Sequence, residues 1–242
     1  LVNSEIMTSH QDCQRVQDVY SIRCSPQVHG PVIDILKESR RILEIEINSS
    51  TDNPLIFTDE GIEVISGGNF HGQYIAISSD SMAIACHELA SISERRINQI
   101  LDPQWGGHSP FLANVEGLES GLMIIQYSSA AVLSELHLMA GSATISNIPV
   151  SMGKEDHASM GATGSFRTMN STRLLTNVIA NEIICACEAL ERIPESPGSG
   201  VAKIRDWVRG IVPPLDGDRQ LSDDTMKLSR AILEGGLTRI FE

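Results

Sequence analysis

The sequence predicts an all-α protein built from long helices, with a single small β-hairpin. Apolar residues recur at helical spacing over long stretches, while glycine and proline gather between those stretches. The stretch 72–100 is rich in Ala, Ser, Ile and Met without an interior Gly or Pro, which favours a buried helix of many turns. Helices well above the globular mean length can bury their apolar faces against one another, so we expect a helix bundle.

The first long helix is predicted to begin near Ser25. Ser25 can serve as the N-cap and Pro26 can occupy the first helical position, where its missing N–H costs nothing. Apolar residues then recur at roughly helical spacing. Asn53-Pro54 is expected to stop the helix, because a residue before proline is disfavoured in helical geometry.

The β-hairpin is predicted directly after this helix. Residues 55–57 and 62–65 are rich in Ile, Val and Phe, and they flank the turn sequence Thr58-Asp59-Glu60-Gly61. Beyond the hairpin and the helix at 72–100, which Asp102-Pro103 closes, helices are predicted at about 118–139, 157–193, 201–212 and 222–240. The Gly/Ser/Pro-containing stretch 195–200 is the clearest linker, so residues 195–242 are predicted to form a short helical tail of the same domain as residues 1–194.

Composition excludes several classes of function. The net charge of −13 argues against nucleic acid and anionic membranes, since both require a basic surface. No apolar run approaches membrane-spanning length and Leu1-Val2-Asn3 opens no signal peptide, so the expected location is cytoplasmic. The five cysteines are odd in number and lack metal-ligand spacing, which favours reduced thiols. The seven dispersed histidines form no H-E-x-x-H pattern, and we predict no metal site.

A candidate small-molecule site lies at Gln17, Tyr20 and Arg23. On a helix, positions i, i+3 and i+6 can turn an amide, a phenol and a guanidinium toward one cavity, where the guanidinium fork could hold a carboxylate. The structural alternative is that Arg23 pairs with Asp18 and Tyr20 lies in the core. Spacing alone does not separate the two interpretations.

Six segments in register resemble the histidine and aromatic amino-acid ammonia-lyases. They are V-Q-D-V-Y-S-I-R-C at 16–24, S-P-Q-V-H-G at 25–30, E-I-N-S-S-T-D-N-P at 46–54, S-G-G-N-F-H-G at 66–72, S-E-R-R at 93–96 and K-E-D-H-A-S-M-G at 154–161. The resemblance covers nearly the whole chain but corresponds to the C-terminal half of the family's catalytic domain. It implies a helical bundle of the aspartase/fumarase-like type, assembled as a homotetramer with shared active sites.

The resemblance also implies roles for individual residues. Residues matching Gln17, Tyr20 and Arg23 line the active site, and Arg23 would hold the substrate carboxylate. Phe70 would lie against a prosthetic group, together with Gln17 and Tyr20. Paired glycines before Phe70 permit a close backbone approach, although a helix-entry turn would explain them equally well.

Glu155 is the best indication of the substrate. Histidine lyases carry Glu at this position, where a carboxylate suits a ring N–H, whereas plant-type phenylalanine lyases carry Gln. Burying a carboxylate against an apolar phenyl ring would be costly. The structural alternative is an acidic residue at a helix start, where it favours the macrodipole.

The family's electrophile is a methylidene-imidazolone made from an Ala-Ser-Gly triplet that this sequence does not contain. The resemblance therefore implies a carbon-nitrogen lyase that converts L-histidine to urocanate and ammonia, with the electrophile supplied by an N-terminal half absent here. Three alternatives stay open: an aromatic amino-acid ammonia-lyase, an aminomutase of the same family, and a non-catalytic helical assembly subunit.

Three departures from the family's pattern affect these expectations. Leu136-His137 stands where N-K is expected, Ser146-Asn147-Ile148-Pro149-Val150 replaces D-S-I-P-T, and Glu119 replaces Asn in G-L-N-S-G. They lie near expected helix ends close to the site, so substrate or activity could differ.

Overall fold

The computed structural model describes residues 3–9 and 15–242, and it separates the chain into two compact units. Unit 1 contains the described residues up to Pro26 together with Leu89–Glu135 and Arg173–Glu242. Unit 2 contains Gln27–Glu88 and Leu136–Thr172. Each unit is described by itself below.

Helices account for most of the described chain, as predicted. They are α1 (Glu5–Ser9), α2 (Tyr20–Arg23), α3 (Ser25–Glu46), α4 (Gln73–Leu101), α5 (Pro103–Gly106), α6 (Met123–Met139), α7 (Gly161–Leu190), α8 (Ser199–Arg209), α9 (Ser222–Leu233) and α10 (Gly236–Arg239). Short 3₁₀ turns occur at Pro110–Leu112 and Ser151–Gly153. The predicted hairpin is formed by β1 (Leu55–Phe57) and β2 (Glu63–Ile65), which pair antiparallel with Ile56 opposite Val64.

Unit 1 is held by an apolar core crossed by a line of buried polar contacts. Large side chains such as Ile97, Leu122 and Ile184 are almost fully buried. Asn181 Nδ2 on α7 donates to Ser129 Oγ on α6 at 2.9 Å, and Thr225 Oγ1 on α9 donates to Asn181 Oδ1 at 2.7 Å. Because buried polar groups are costly when unpaired, these bonds fix how the three helices align.

A buried ionic cluster joins α7 to the tail of the chain within unit 1. Glu188, which is almost fully buried, accepts from Arg209 Nη2 and from the backbone N–H of Leu215, both at 2.9 Å. Arg209 also donates to Glu191 from Nε at 2.6 Å. Burial alone would lower the pKa of Arg209, but the bond to Glu191 and the charge of Glu188 raise it, so the guanidinium stays charged.

Unit 2 has a core of small side chains. Ala76, Ala83 and Ala85 on α4 are almost fully buried. Small residues allow α4 and α7 to approach closely, and Thr168 Oγ1 on α7 donates to the carbonyl of Ser79 on α4 at 2.6 Å. In contrast, α3 leaves large apolar side chains exposed, including Leu43 and Ile45.

Several predicted helix ends are wrong. The α3 helix has Ser25 as its first residue rather than its cap, and it ends at Glu46 rather than at Asn53-Pro54. Its C-terminal end is set by side chains, because Asn48 Nδ2 and Ser49 Oγ each donate at 2.7 Å to carbonyls of the last turn.

Three later helices also differ from prediction at one end or in continuity. The α6 helix starts at Met123, because Gly121 before it has φ +54°. Similarly, α7 starts at Gly161 after Met160 with φ +59°, and Gly235 with φ +81° splits the predicted helix at 222–240 into α9 and α10. Left-handed backbone geometry cannot continue a right-handed helix.

Cysteines of the described chain carry free thiols at Cys24, Cys86, Cys185 and Cys187, whereas Cys13 lies outside the described residues. Burial raises the pKa of the Cys86 and Cys185 thiols and raises the pKa of Cys187 to about 11. These three thiols are therefore protonated at neutral pH and poorly nucleophilic. No helix among residues 3–9 and 15–242 is both long and apolar enough to cross a bilayer.

Candidate active site

The short helix α2 carries Tyr20 and Arg23 but does not reach Gln17. Gln17 lies in the non-helical segment before it, so the predicted arrangement of all three residues on one helical turn is wrong. Arg23 stacks on the Tyr20 ring, with its guanidinium carbon 4.4 Å from the ring centroid. This contact holds the phenol and the guanidinium together on the exposed surface of unit 1.

The structure does not contain the alternative arrangement, in which Arg23 pairs with the Asp18 carboxylate and Tyr20 lies in the core. Arg23 Nε donates to the backbone carbonyl of Asp18 at 2.9 Å rather than to its carboxylate, and Tyr20 is 68% exposed rather than in the core. Among the described residues, Arg23 forms no hydrogen bond through its Nη groups. Those two donors are therefore oriented by the Nε contact and can bind a carboxylate.

Gln17 lines a cavity of about 510 Å³ together with Arg15, Val16, Gln104 and Trp105. Arg15 fixes one wall, since its guanidinium lies 5.3 Å from the Trp105 ring centroid and Nη2 donates to the carbonyl of Gln104 at 2.9 Å. An exposed amide beside a preformed recess is suited to hydrogen bonding with a polar ligand.

The S-E-R-R segment at 93–96 has a structural role in unit 1. Glu182 on α7 accepts from Ser93 Oγ at 2.6 Å and from both Nε and Nη2 of Arg96, the latter at 2.9 Å. Arg96 Nη1 also approaches the carbonyl of Ser21 in α2, at 3.5 Å. This forked ion pair places a cation against the helix that carries Arg23, a role that sequence spacing did not reveal.

Phe70 lies in a tight turn rather than at a helix start. The backbone N–H of His71 donates to the carbonyl of Gly68 at 3.0 Å, and α4 begins only at Gln73. The ring of Phe70 is 53% exposed. A Cβ at Gly67 or Gly68 would meet no described atom within 4 Å, so the space beside both glycines is open.

Two asparagines that sequence reasoning missed hold this turn. Asn53 Oδ1 accepts from Ser66 Oγ at 3.1 Å and from the N–H of Gly67 at 3.0 Å, while Asn69 Nδ2 donates to the carbonyl of Ser50 at 2.6 Å. Both residues lie within the segments 46–54 and 66–72. The only sequence signal for these two residues was that both lie in segments resembling the family. Their hydrogen bonds could not be predicted, because the bonded residues are distant in sequence.

Glu155 lies in a loop and not at a helix start, since α7 begins at Gly161. The macrodipole explanation for this carboxylate is therefore wrong. Glu155 forms an antiparallel bridge with Val150, whose N–H donates to the Glu155 carbonyl at 3.0 Å, and its Oε1 accepts from Ser151 Oγ at 2.8 Å. The side chain is exposed but oriented, and it can accept a further N–H.

The loop carrying Glu155 is closed at its base by Asn147, one of the departures from the family's pattern. Asn147 Nδ2 donates to the carbonyl of Ala158 and Oδ1 accepts from its N–H, both at 3.1 Å. A serine, which the pattern has here, cannot form this pair with one hydroxyl at the same reach.

The other two departures from the pattern also have structural roles. Leu136 is fully buried, and Glu119 accepts a hydrogen bond from the N–H of Asn114 at 2.8 Å.

Asp80 fixes the chain just before this loop. Its Oδ1 accepts from the N–H of Ala143 at 2.9 Å and its Oδ2 from the N–H of Thr144 at 3.0 Å, with Ser142 Oγ also donating. Burial by itself would raise the pKa of Asp80, but the three hydrogen bonds outweigh it and lower the pKa below its ordinary value.

No group of three or more His, Cys, Asp or Glu residues that could hold a metal ion occurs in the described part of the chain. The candidate residues fall into both units, with Gln17, Tyr20 and Arg23 in unit 1 and Phe70 and Glu155 in unit 2. Within unit 2 the segments carrying Phe70 and Glu155 are in contact through His71 and His157.

Comparison with known proteins identifies relatives of the family that the sequence segments resemble. The family described as aromatic amino acid lyase matches residues 1–210. The histidine ammonia-lyase of Myxococcus xanthus strain DK1622 is 44% identical over 238 residues, which is 98% of this chain and 47% of that protein. The chain thus spans about half the length of the curated relatives it matches.

Solved structures give the same result. The histidine ammonia-lyase of Trypanosoma cruzi matches with a TM-score of 0.89 at 36% identity, covering 93% of this chain and 44% of that one. The phenylalanine aminomutase of Pantoea agglomerans matches with a TM-score of 0.86 at 32% identity, covering 94% and 46%. These likenesses confirm the predicted fold class.

Proposed function

Because the chain belongs to the aromatic amino acid lyase family, we propose that it forms the C-terminal half of an ammonia-lyase that converts L-histidine to urocanate and ammonia. The observation that carries the choice of histidine is Glu155, an oriented carboxylate with acceptor capacity beyond its bond to Ser151. A carboxylate is a suitable partner for an imidazole N–H and an unfavourable one for a phenyl ring.

Arg23 is proposed to bind the substrate carboxylate. Support comes from its Nε contact with Asp18 and its stacking on Tyr20, which orient the remaining donors before any ligand arrives. A substrate held at two points has its Cβ–H bond placed reproducibly, and such positioning is a large part of what a lyase can supply. Tyr20 and Gln17 are proposed to line the same site, with the Tyr20 hydroxyl available to donate or accept a proton.

The family's methylidene-imidazolone group needs an Ala-Ser-Gly triplet, and we propose that an N-terminal half supplies it. The residues of each unit suit such a planar, polar group in kind. In unit 1, Tyr20 exposes more than half of its surface and Gln17 adds an amide; in unit 2, the exposed ring of Phe70 can stack on a planar group. When bound, the group would supply the electrophile that activates the substrate's amino group for departure. The side chains of this chain would bind, orient and exclude water around it.

Assembly with further chains is also proposed, as a homotetramer with shared active sites. Support comes from the large apolar side chains that α3 and the residue after its end expose. Leu36 and Leu43 of α3 line a recess of about 310 Å³ together with Ile47 and Met82. Apolar surface of this kind is typical of a face that another chain covers.

Complementation tests the proposal. The chain would be combined with the N-terminal half of the Myxococcus xanthus relative, and urocanate formation from L-histidine would be followed by ultraviolet absorbance. The reference pair is that relative's own two halves. We expect turnover by the mixed pair and none by this chain alone. An inactive mixed pair beside an active reference pair would contradict the proposal, and β-amino acid formation instead of urocanate would indicate an aminomutase.

A further inference from the structure

Two histidine side chains in unit 2 are in direct contact. The rings of His71 and His157 stack with centroids 5.4 Å apart and an interplanar angle of 28°. His71 Nε2 lies 2.9 Å from the backbone carbonyl oxygen of His157 and 3.4 Å from His157 Nδ1. The short contact is to a backbone atom, so it restrains the course of the chain and not only a side chain.

The partners of His71 Nε2 determine where its proton lies. A carbonyl oxygen only accepts, so Nε2 of His71 must carry the hydrogen. The contact to His157 Nδ1 is longer than the one to the carbonyl. The arrangement therefore gives His71 one donor directed at the Glu155 loop.

Each of the two connected segments is already fixed internally. The turn carrying Phe70 is held by Asn53 and Asn69, and the loop carrying Glu155 is closed by Asn147 and by the bridge to Val150. His71 follows Phe70 directly, and His157 is two residues beyond Glu155. The contact between the histidines thus joins two preformed pieces.

The backbone around this contact includes two residues in left-handed geometry. Gly72 adopts φ +74°, and a Cβ there would lie 3.7 Å from Ser159 Oγ. A Cβ at Gly161 would lie 3.5 Å from the carbonyl oxygen of Gly72. Met160, between Ser159 and Gly161, has φ +59°, a geometry that a non-glycine residue adopts only when its surroundings enforce it. Gly72 and Met160 therefore make left-handed turns on either side of the histidine contact.

We infer that His71 is a positioning residue, which sets the loop carrying Glu155 relative to the turn carrying Phe70 by donating to the backbone carbonyl of His157. Its consequence for catalysis rests on the proposed function, in which Glu155 contacts the substrate and Phe70 contacts the prosthetic group. The contact itself is a property of the chain and can be tested without turnover.

The test compares two substitutions of His71 with a matched control. His71→Phe keeps a planar ring and removes the donor, whereas His71→Gln keeps an N–H at similar reach. The control is His137→Phe, because His137 and His87 form a second ring pair in unit 2, with centroids 5.6 Å apart and planes tilted by 59°. His157→Phe is added, since it retains the backbone carbonyl that His71 binds.

Amide hydrogen exchange of the chain is the first measurement. His71→Phe should speed exchange at Val150, Glu155 and Ala158 by about fivefold or more, as expected for loss of one supporting hydrogen bond. His71→Gln and His157→Phe should stay close to the parent, and amides of α9 should be unchanged in all variants. Equal exchange in His71→Phe and His137→Phe would overturn the inference.

The second measurement uses the complemented enzyme. His71→Phe should lower kcat/KM for histidine by about tenfold while changing that for phenylalanine little, because only the histidine ring depends on Glu155. His71→Gln should restore most of the loss. An equal loss for both substrates would assign His71 a general structural role. If the parent pair turned over no histidine, the proposed function would fail, and the exchange result would still decide whether His71 positions the loop.

Discussion

Arg23 reaches its orientation through contacts with its own segment. Its Nε binds the carbonyl of Asp18 and its plane lies on Tyr20, so both restraints come from residues within five positions in sequence. Lysine can reproduce the charge but neither the fork nor the stacking on an aromatic ring. The side chain is therefore suited to holding a carboxylate in one orientation.

Arg23→Lys in the complemented enzyme should reduce kcat/KM for histidine by roughly 30-fold, corresponding to about 2 kcal/mol of lost transition-state binding. Steady-state kinetics at several histidine concentrations would measure it. Arg230→Lys serves as the control, because the Arg230 side chain is exposed on α9 and pairs only with Glu234 among the described residues. Kinetics indistinguishable from the control would assign Arg23 a structural role.

The start of α6 is set by a carboxylate from a distant part of unit 1. Asp218 Oδ2 accepts from the N–H of Ser120 and Oδ1 from the N–H of Gly121, both at 2.9 Å. Gly121 has φ +54°, and a Cβ there would lie 2.5 Å from the carbonyl oxygen of Phe111. The helix can therefore begin only after this crowded turn.

Gly121→Ala should destabilise the chain by about 3 kcal/mol, since it combines left-handed backbone strain with overlap against fixed backbone. Gly117→Ala is the matched control: Gly117 has φ +77°, but a Cβ there would meet nothing within 4 Å. The control should lose only about 1 kcal/mol, the cost of the backbone geometry alone. Denaturant unfolding gives both values, and equal losses would contradict the steric explanation.

Asp80 makes the stability of unit 2 depend on pH. Because hydrogen bonds from Ser142, Ala143 and Thr144 outweigh burial and lower its pKa in the folded chain, the ionised form stabilises the fold. That contribution is fully present above the unfolded-state pKa of about 3.9 and is lost as pH falls through the lower folded-state pKa.

Asp80→Asn should therefore cost stability at neutral pH, by about 1–3 kcal/mol for partners left unsatisfied. The difference from the parent should shrink as pH falls below about 4. Unfolding free energies measured by denaturant between neutral and acidic pH would show this. Asp59→Asn, in the exposed hairpin turn, is the control. A difference that does not vary with pH would show that the charge of Asp80 is unimportant.

Helix interiors were predictable because periodicity is a local property. The segment 72–100 lacks an interior Gly or Pro and corresponds to α4, and each predicted strand of the hairpin lies within one residue of the observed one. Helix ends were less predictable. Asp218 contacts Ser120 from 98 positions away, and the left-handed geometry of Met160 has no signal in its residue type. Ends fixed by distant partners cannot be read from local sequence.

At the scale of the whole molecule, the short segments supplied candidate site residues but not their surroundings. Tyr20 and Arg23 do meet, as spacing predicted, whereas Gln17 lies outside the helix. The alternative that put Glu155 at a helix start is wrong, because its bridge to Val150 and the closure by Asn147 put it in a loop. The proposed roles of all five residues, the homotetramer and the division at 194/195 remain predictions.

Substrate discrimination tests the central claim, that this chain supplies the histidine-specific half of an ammonia-lyase site. Values of kcat/KM for histidine, phenylalanine and tyrosine would be measured for the complemented enzyme and for Glu155→Gln. Removing the charge should lower kcat/KM for histidine by about tenfold or more. It should lower kcat/KM for phenylalanine and tyrosine little, because the cost of desolvating a carboxylate against an aromatic ring also disappears. The ratio of histidine to phenylalanine efficiency should therefore fall. An unchanged ratio would contradict the role of Glu155 and the assignment of histidine with it.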